Sequence, residues 1–229
     1  MRCRRGEAWY GHRLEPELRR NGHDVVAVDL PADDDSAGLE EYARVVVDAA
    51  ETLPGDAGPL VLVAQSMGAF TAPLVCQHVP VDLMVLVAAM SPATGEAPGD
   101  WWSNTGQIEA QRAMAEREGR PTDGEFDPVA LFLHDLPEEV QAEALRNPPR
   151  DQSGTPFARP WPLDRWPDVP TRFVLARDDR LFPAEFQRRI VPERLGIVPD
   201  EIDGGHLVAL SRPVELADRL DAYVRVPSS

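Results

Sequence analysis

Short apolar and β-branched runs alternate along this chain with segments whose apolar residues recur at helical spacing. Runs of strand length, each bounded by turn residues, lie at residues 25–30, 60–64, 83–89, 172–176 and 198–202. The runs at 60–64 and 83–89 are apolar throughout, which predicts strands that are covered on both faces. Because strands that alternate with helices are typical of parallel sheets, we predict an α/β fold with a mostly parallel sheet and helices on both faces.

Segments with the helical pattern lie between and around these runs. Helices are predicted over 39–53, 67–78, 107–118, 138–145, 184–190 and 214–224, with another that begins near Leu14. Between residues 91 and 166 the strand pattern stops, and the chain becomes rich in proline, glycine, tryptophan and charge. We therefore predict a core domain formed by residues 1–90 and 167–229, with residues 91–166 inserted over the sheet as a cap.

Composition narrows the class of protein. A chain of 229 residues with 43% hydrophobic and 27% charged residues is typical of one globular domain. No apolar run is long enough for a membrane helix, and no apolar segment follows the basic start as a secretory signal requires, so we expect a cytoplasmic protein. The formal net charge of −16 disfavours nucleic acid and anionic membranes as partners. Cys3 and Cys76 are too few for a disulfide framework or a cysteine-ligated metal site, and no metal is expected.

The first candidate for chemistry is Ser66. Residues 64–68 are Ala-Gln-Ser-Met-Gly and lie between an apolar strand and a helix, as a nucleophile elbow requires. Such a turn needs small residues two positions before and after the serine, and Ala64 and Gly68 meet this condition. The turn exposes the serine hydroxyl above the strand end and directs the amide of Met67 toward a developing oxyanion. The alternative interpretation of Ser66 is an ordinary helix N-cap.

An acid and a base follow the serine along the chain. Asp178 and Asp179 come directly after the predicted strand 172–176, and His206 follows two glycines after the next predicted strand. Taken alone, the acids would form a solvated turn and the histidine would be a solvated loop residue. Their joint occurrence with Ser66, each at the carboxyl end of a predicted strand, favours a catalytic arrangement. This pattern leaves both Asp178 and Asp179 open as the acid.

Several motifs of the chain resemble the alpha/beta-hydrolase superfamily, and above all its branch of plant methylesterases, hydroxynitrile lyases and bacterial homologues. They lie at residues 21–25, 29–31, 64–68, 179, 182–187, 204–206 and 210–213, and so extend over nearly the whole chain. Asp179 precedes the Glu-Phe-Gln at 185–187 by the spacing of the family's catalytic aspartate. The resemblance therefore implies Asp179 as the acid and leaves Asp178 in reserve.

The resemblance also implies an activity, that of a serine hydrolase that cleaves a small carboxylic ester without a cofactor. Ser66 would attack the carbonyl, His206 would take its proton and deliver it to the leaving alcohol, and Asp179 would hold the imidazole. The hydroxynitrile lyases of this branch rely on a lysine beside the catalytic histidine. Here Leu207 stands in that place and the chain contains no lysine, so lyase activity of that type is disfavoured.

The predicted cap carries enough aromatic and aliphatic surface for an apolar acyl pocket. Residues of this kind are Trp101, Trp102, Phe126, Leu131, Phe132, Phe157 and Trp161. We predict Trp101, Trp102 and Phe132 as substrate-binding residues, and we expect about half of the whole set to pack within the cap. His134 and Asp135 are alternative substrate contacts, but we expect them to be solvated or capping residues.

The chain departs from the family's pattern at its start. The family has a hydrophobic central strand before the helix that here begins near Leu14, whereas residues 1–8 contain no apolar run. We therefore expect this strand to be missing, either because the chain is truncated or wrongly started or because the protein has lost the strand. By spacing, the second oxyanion amide would fall near Arg4, but the strand that leads to it is absent.

This departure keeps two other functions open. Loss of one oxyanion donor commonly costs about 10²–10³ in rate, so a hydrolase without that donor would be impaired. The alternatives are a non-catalytic or impaired protein of this fold that binds a small ligand, and a cofactor-free haloperoxidase or oxygenase on the same three residues. For each function we expect a small-molecule partner, no nucleic acid, no membrane, and a monomer or homodimer.

Overall fold

Four parallel strands form the sheet in the part of the chain that the computed structural model describes, which comprises residues 7–54, 58–122, 127–148 and 150–225. The strands lie side by side in chain order: β1 (Val61–Gln65), β2 (Leu83–Val87), β3 (Thr171–Ala176) and β4 (Asp200–Ile202). Each neighbouring pair is parallel, so all four strands point their carboxyl ends to one edge of the sheet. Residues that follow the strands are therefore collected at that edge.

Helices and helical turns precede, separate and follow the strands. The helices are α1 (Leu14–Arg20), α2 (Leu39–Ala50), α3 (Gly68–Val75), α4 (Trp101–Thr105), α5 (Gln107–Arg117), α6 (Glu138–Arg146), α7 (Thr155–Ala158), α8 (Ala184–Leu195), α9 (Val208–Ser211) and α10 (Pro213–Arg225). A 3₁₀ turn at Glu7–Gly11 and a π-helical turn at Val129–Leu133 complete the set. Over the described residues, none of these helices has the length and apolar character needed to cross a bilayer.

The two faces of the sheet pack against different helices because successive side chains of a strand point to opposite faces. Met84 and Leu86 of β2 are fully buried on the face covered by α2, α3 and α8. Val85 and Val87 are buried on the other face, which is covered by α1 and α10. The prediction of a parallel sheet with helices on both faces is confirmed, and the four observed strands begin and end within two residues of their predicted bounds.

The strand predicted at 25–30 is wrong, because this segment has no regular secondary structure. An apolar run becomes a strand only when a neighbouring strand accepts its backbone hydrogen bonds, and β1 is the edge strand of the described sheet. Val63 of β1 and Val26 of the segment are 44% and 43% exposed, as expected of positions without a covering neighbour. Side chains hold the segment instead, with the Ala8 amide donating to Asp29 Oδ1 at 2.7 Å.

The expected absence of an N-terminal strand stays a prediction. The first described element is the 3₁₀ turn Glu7–Gly11, and within the described ranges no strand precedes β1. Residues 1–6, which include Arg4 and its predicted oxyanion amide, lie outside the described residues.

The segment between β2 and β3, residues 91–166, packs against the rest of the protein through two apolar clusters, among other contacts. At one, the Trp161 indole N–H donates to the carbonyl of Phe70 in α3 at 2.9 Å, and Trp101 is buried in the same core. At the other, α6 contributes Val140 and Ala144 to a separate apolar cluster with Trp9. We call residues 91–166 the β2–β3 segment below.

A buried ion pair anchors the β2–β3 segment to α8 and permits a test of stability. Arg194 donates to Glu96 Oε1 at 2.9 Å, with side-chain exposures of 12% and 5%. Replacing Arg194 with methionine would leave the Glu96 carboxylate buried without its counter-charge, so we expect the free energy of unfolding to fall by about 3–5 kcal/mol. Urea denaturation followed by circular dichroism measures this change.

Two further variants define what that result means. Arg44 pairs with Glu41 on the exposed surface of α2, so Arg44→Met should change stability little. Replacing Arg194 and Glu96 together by Met and Leu should cost less than the single Arg194→Met change, because no unpaired charge is then buried. A single variant as stable as Arg44→Met would show that the ion pair is not an anchor.

Candidate active site

Ser66 lies in a strained turn between β1 and α3. Its φ angle is 54°, in the left-handed region that residues other than glycine rarely adopt. A Cβ atom on Gly68 would lie 3.6 Å from the Cβ of Ala64, so larger side chains at these two positions would collide. The turn is tied to the end of β2 because the Ser66 carbonyl accepts the Met90 amide at 3.0 Å. This is the geometry of a nucleophile elbow.

The amide predicted for the oxyanion is at the start of α3. Met67 is the N-cap of that helix, and the amides of a first helical turn have no acceptor within the helix. Such amides are the donors that stabilise a negative oxygen formed at an adjacent nucleophile. The position of Met67 directly after Ser66 therefore agrees with the predicted role.

Asp179 and His206 are in direct contact at the carboxyl ends of β3 and β4. His206 Nδ1 lies 2.8 Å from Asp179 Oδ2, and both side chains are buried, at 4% and 0% exposure. Because an ionised carboxylate only accepts hydrogen bonds, Nδ1 must carry the proton, which leaves Nε2 as the free basic nitrogen. Asp179 Oδ1 accepts the amides of Leu181 and Phe182 at 2.8 and 2.9 Å, so the carboxylate is fixed in position.

The adjacent acid, Asp178, has a different role. Its side chain is exposed at the surface, and its Oδ2 accepts the Gly204 amide at 3.1 Å. The φ angle of Gly204 is 120°, which only glycine adopts without strain. Asp178 thus helps to shape the loop before His206, while Asp179 holds the imidazole.

Gln65 connects the turn of Ser66 to the loop of His206. Its side-chain amide donates to the His206 carbonyl at 2.6 Å, so the residue beside the hydroxyl is bonded to the residue that carries the imidazole. Within the described chain no hydrogen bond joins Ser66 Oγ to the imidazole. In enzymes this bond often tightens only when substrate binds. The structure therefore brings the acid and the base together and places the hydroxyl at the end of β1, on the same edge of the sheet.

The three aromatic residues predicted to bind substrate have different positions. The Phe132 ring is 5.5 Å from the His206 ring, so this residue lies at the site. Trp102 is partly exposed, and its ring centroid is 5.9 Å from that of Phe182. The Phe182 ring in turn lies perpendicular to the imidazole, with 5.1 Å between the two ring centroids. Trp101 is fully buried, with its indole N–H bonded to the Ser91 carbonyl at 3.1 Å, so it packs in the core and has no surface left for a substrate. Phe126 lies outside the described residues.

Sequence reasoning missed three residues that contact the site. Gln65 and Phe182 are close in sequence to Ser66 and Asp179, and this proximity was the signal that could have identified them. Asp135, expected to be a solvated or capping residue, instead accepts the Gly205 amide at 2.6 Å. No local pattern links the distant positions 135 and 205.

Other parts of the described structure offer weaker candidates. A cavity of about 520 Å³ lies at the opposite edge of the sheet, where β3 and β4 begin, but its polar groups pair with one another, as Arg219 does with Asp200 at 3.4 Å. Among the described residues, no three His, Cys, Asp or Glu side chains are grouped so that they could hold a metal ion. The carboxyl ends of the strands thus hold the best candidate site.

Comparisons with known proteins identify the family of this chain. The model of the "Alpha/beta hydrolase family" matches residues 3–219. Methylesterase 7 from Arabidopsis thaliana is 25% identical over 91% of this chain and 88% of its own. Alpha-hydroxynitrile lyase from the same plant is 25% identical over 94% and 92%. The crystal structure of polyneuridine aldehyde esterase has a TM-score of 0.74 at 21% identity, over 95% of this chain and 94% of its own. The resemblance predicted from the motifs is confirmed.

Proposed function

Since this chain belongs to the alpha/beta hydrolase family and is an esterase-like enzyme, we propose that it cleaves a small carboxylic ester through Ser66, His206 and Asp179. The observation that carries the proposal is the buried contact between His206 Nδ1 and Asp179 Oδ2 at 2.8 Å, beside a serine in a strained turn. A histidine with only a structural role does not need a carboxylate partner that is itself held by two backbone amides. A histidine that acts as a general base needs such a partner, because its tautomer and orientation determine whether it can transfer the proton.

The proposed reaction proceeds in two steps through an acyl-enzyme. Ser66 Oγ attacks the ester carbonyl while His206 Nε2 takes the hydroxyl proton, and the same proton then passes to the leaving alcohol as the acyl–oxygen bond breaks. Water, activated by His206 in the same way, releases the acid. Asp179 stays ionised throughout and stabilises the positive charge that the imidazole carries in each transition state.

The oxyanion of each step would be stabilised by backbone amides. The amide of Met67 is the first donor, because it follows the nucleophile at the start of α3. The amide near Arg4, outside the described residues, is the proposed second donor. An enzyme that relied on Met67 alone would be slower by about 10²–10³ than one with both donors.

The β2–β3 segment is proposed as the cap that covers the site, over a core of residues 1–90 and 167–229. Phe132 and Trp102 are the proposed substrate contacts, since the first lies against His206 and the second is partly exposed beside Phe182. Aromatic walls favour an apolar acyl or alcohol group. The names of the relatives that are methylesterases or esterases agree with a small ester, and the lack of any lysine argues against cyanide release of the lyase type.

Labelling with a fluorophosphonate tests the proposal without knowledge of the natural substrate. This reagent is an electrophile that reacts with activated serines, so we expect one adduct per chain, at Ser66, as located by peptide mass spectrometry. The Ser66→Ala protein should remain unlabelled, and His206→Ala should label far more slowly because the hydroxyl loses its base. Labelling of wild type and Ser66→Ala at equal rates would contradict the proposal.

A further inference from the structure

The π-helical turn Val129–Leu133 lies between the two loops that carry the acid and the base. Arg180, the residue after Asp179, donates to the carbonyl of Ala130 in this turn at 2.9 Å. On the other side the Phe132 ring packs against the His206 ring. Single π-helical turns are uncommon and are often found at functional sites, where they direct particular side chains. The turn therefore contacts both loops of the proposed catalytic pair.

Two residues after this turn, Asp135 reaches the backbone directly before His206. Its Oδ2 accepts the Gly205 amide at 2.6 Å, a charge-assisted hydrogen bond between positions 70 residues apart. Gly204 and Gly205 would otherwise give the loop much conformational freedom, because glycine restricts its backbone least. The Asp135 carboxylate removes that freedom at the peptide unit next to the imidazole.

The loop can approach Asp135 so closely only because residue 205 is glycine. A Cβ atom at position 205 would lie 2.7 Å from Asp135 Oδ1 and 3.0 Å from His134 Nε2. A contact of 2.7 Å is shorter than a carbon atom tolerates, so with any other residue at position 205 the Asp135 carboxylate would have to shift away from the loop. The close contact therefore depends on both the glycine at position 205 and the carboxylate of Asp135.

This contact has features that folding stability does not explain. Asp135 Oδ1 and His134 Nε2 are buried and have no hydrogen-bond partner among the described residues. Burial, followed by the positive charge of Arg180, lowers the pKa of His134, so its ring offers Asp135 no positive charge at neutral pH. Leaving this one carboxylate oxygen buried without a donor costs stability, so the fold alone gains little from the arrangement. Departures of this kind are expected where a residue serves function.

We propose that Asp135 is a positioning residue for His206. By holding the Gly205 amide it fixes the direction from which the imidazole approaches Ser66. In the described structure Asp135 makes no hydrogen bond to the imidazole or to Asp179, and it takes no part in proton transfer. The inference rests on the proposed esterase function, because only a catalytic histidine needs such placement.

Replacing Asp135 in two ways separates positioning from other effects. Asp135→Ala removes the acceptor of the Gly205 amide. We expect kcat for a short-chain p-nitrophenyl ester to fall by about 10- to 100-fold, with KM nearly unchanged. The reason is that misplacing the imidazole by a fraction of an ångström slows the reaction more than it weakens substrate binding. Asp135→Asn keeps an acceptor oxygen at the same place and should retain most of the activity. An Asn variant as slow as the Ala variant, or an Ala variant with wild-type kcat, would overturn the proposal.

Asp82 provides the matched control. Its Oδ2 accepts the Leu60 amide at 2.8 Å, so it makes the same kind of bond between distant segments, at the sheet edge where β1 and β2 begin. Asp82→Ala should leave kcat within about twofold of wild type, because this bond lies at the opposite edge of the sheet from His206. A kcat loss equal to that of Asp135→Ala would mean that losing any such bond slows the reaction, and Asp135 would then have no positioning role.

A second variant and a measurement independent of activity complete the test. Gly205→Ala should lower kcat as Asp135→Ala does, and the double variant should be little worse than either, since both break one contact. Amide hydrogen exchange of residues 203–207 should quicken in Asp135→Ala and not in Asp135→Asn. Unchanged exchange in Asp135→Ala would overturn the positioning role even with the esterase intact. Absence of hydrolysis by wild type and Ser66→Ala alike would instead reject the proposed function, and the inference with it.

Discussion

Replacing Ser66 with alanine is expected to lower kcat for a short-chain p-nitrophenyl ester by about 10⁶-fold, the loss typical of an enzyme deprived of its nucleophile. The hydroxyl has no substitute at this position, since the neighbouring Gln65 and Met67 are not nucleophiles. KM should change little because the missing oxygen forms its bond only after the substrate has bound. Initial rates of p-nitrophenolate release, with burst amplitudes for the wild type, measure both quantities.

The control for this variant is another serine that lies outside the site. Ser103 is exposed on α4, and its hydroxyl donates to the Asp100 carbonyl, so Ser103→Ala should hydrolyse at the wild-type rate. If Ser66→Ala were as fast as Ser103→Ala, the protein would not be a serine hydrolase, and the fold would serve ligand binding. A cofactor-free oxygenase or haloperoxidase would instead lose turnover on removal of oxygen or peroxide, which an esterase does not need.

Much of this fold could be predicted because its signals are local. The runs that became β1, β2, β3 and β4 are apolar over short stretches and bounded by turn residues, and both properties can be found in a single segment of the chain. The same holds for Ser66, since the small residues around a nucleophile elbow are its immediate neighbours. A parallel sheet then collects whatever follows its strands at one edge, which is why Ser66, Asp179 and His206 could be placed at one site without coordinates.

The rest could not be predicted because it depends on partners that are distant in sequence. Residues 25–30 have the composition of a strand but do not form one. A strand needs a neighbour to pair with, and no described strand lies between this segment and β1. Trp101 has the chemistry of a pocket wall, but the packing of Phe182 and Phe186 around it makes it part of the core. Whether an aromatic residue faces a substrate or its own neighbours is decided by the packing and leaves no trace in the local pattern.

The sheet and the β2–β3 segment have different roles in placing the proposed catalytic pair. The ends of β3 and β4 set the approximate positions of the acid and the base. A strand end can move only in steps of one residue, so the sheet alone cannot adjust these positions finely. Finer placement of His206 comes from hydrogen bonds to its loop, from Gln65 on one side and through Gly205 from Asp135 on the other. The site is thus held by residues that come from three separate parts of the chain.

Asparagine in place of Asp179 should lower kcat by about 10⁴-fold, whereas asparagine in place of its neighbour Asp178 should have little effect. The asparagine amide can donate to His206 Nδ1, which would move the imidazole proton to Nε2, where the base must be free to accept. The carboxylate that balances the imidazolium would also be lost. Asp178 contacts only the backbone around Gly204, and an asparagine oxygen can accept that amide equally well.

This pair of variants is informative because the two acids are adjacent and chemically identical, so any effect of composition or overall charge is the same for both. Rates of ester hydrolysis across a range of pH, with circular dichroism to show that both variants fold, provide the measurement. A greater loss on changing Asp178 than on changing Asp179 would contradict the 2.8 Å contact between Asp179 and His206 as the working arrangement. Equal and small losses would show that His206 acts without an acid. We expect a large loss only for the Asp179 variant. The Asp179 carboxylate is buried and held by the amides of Leu181 and Phe182, so no other acceptor can replace it there.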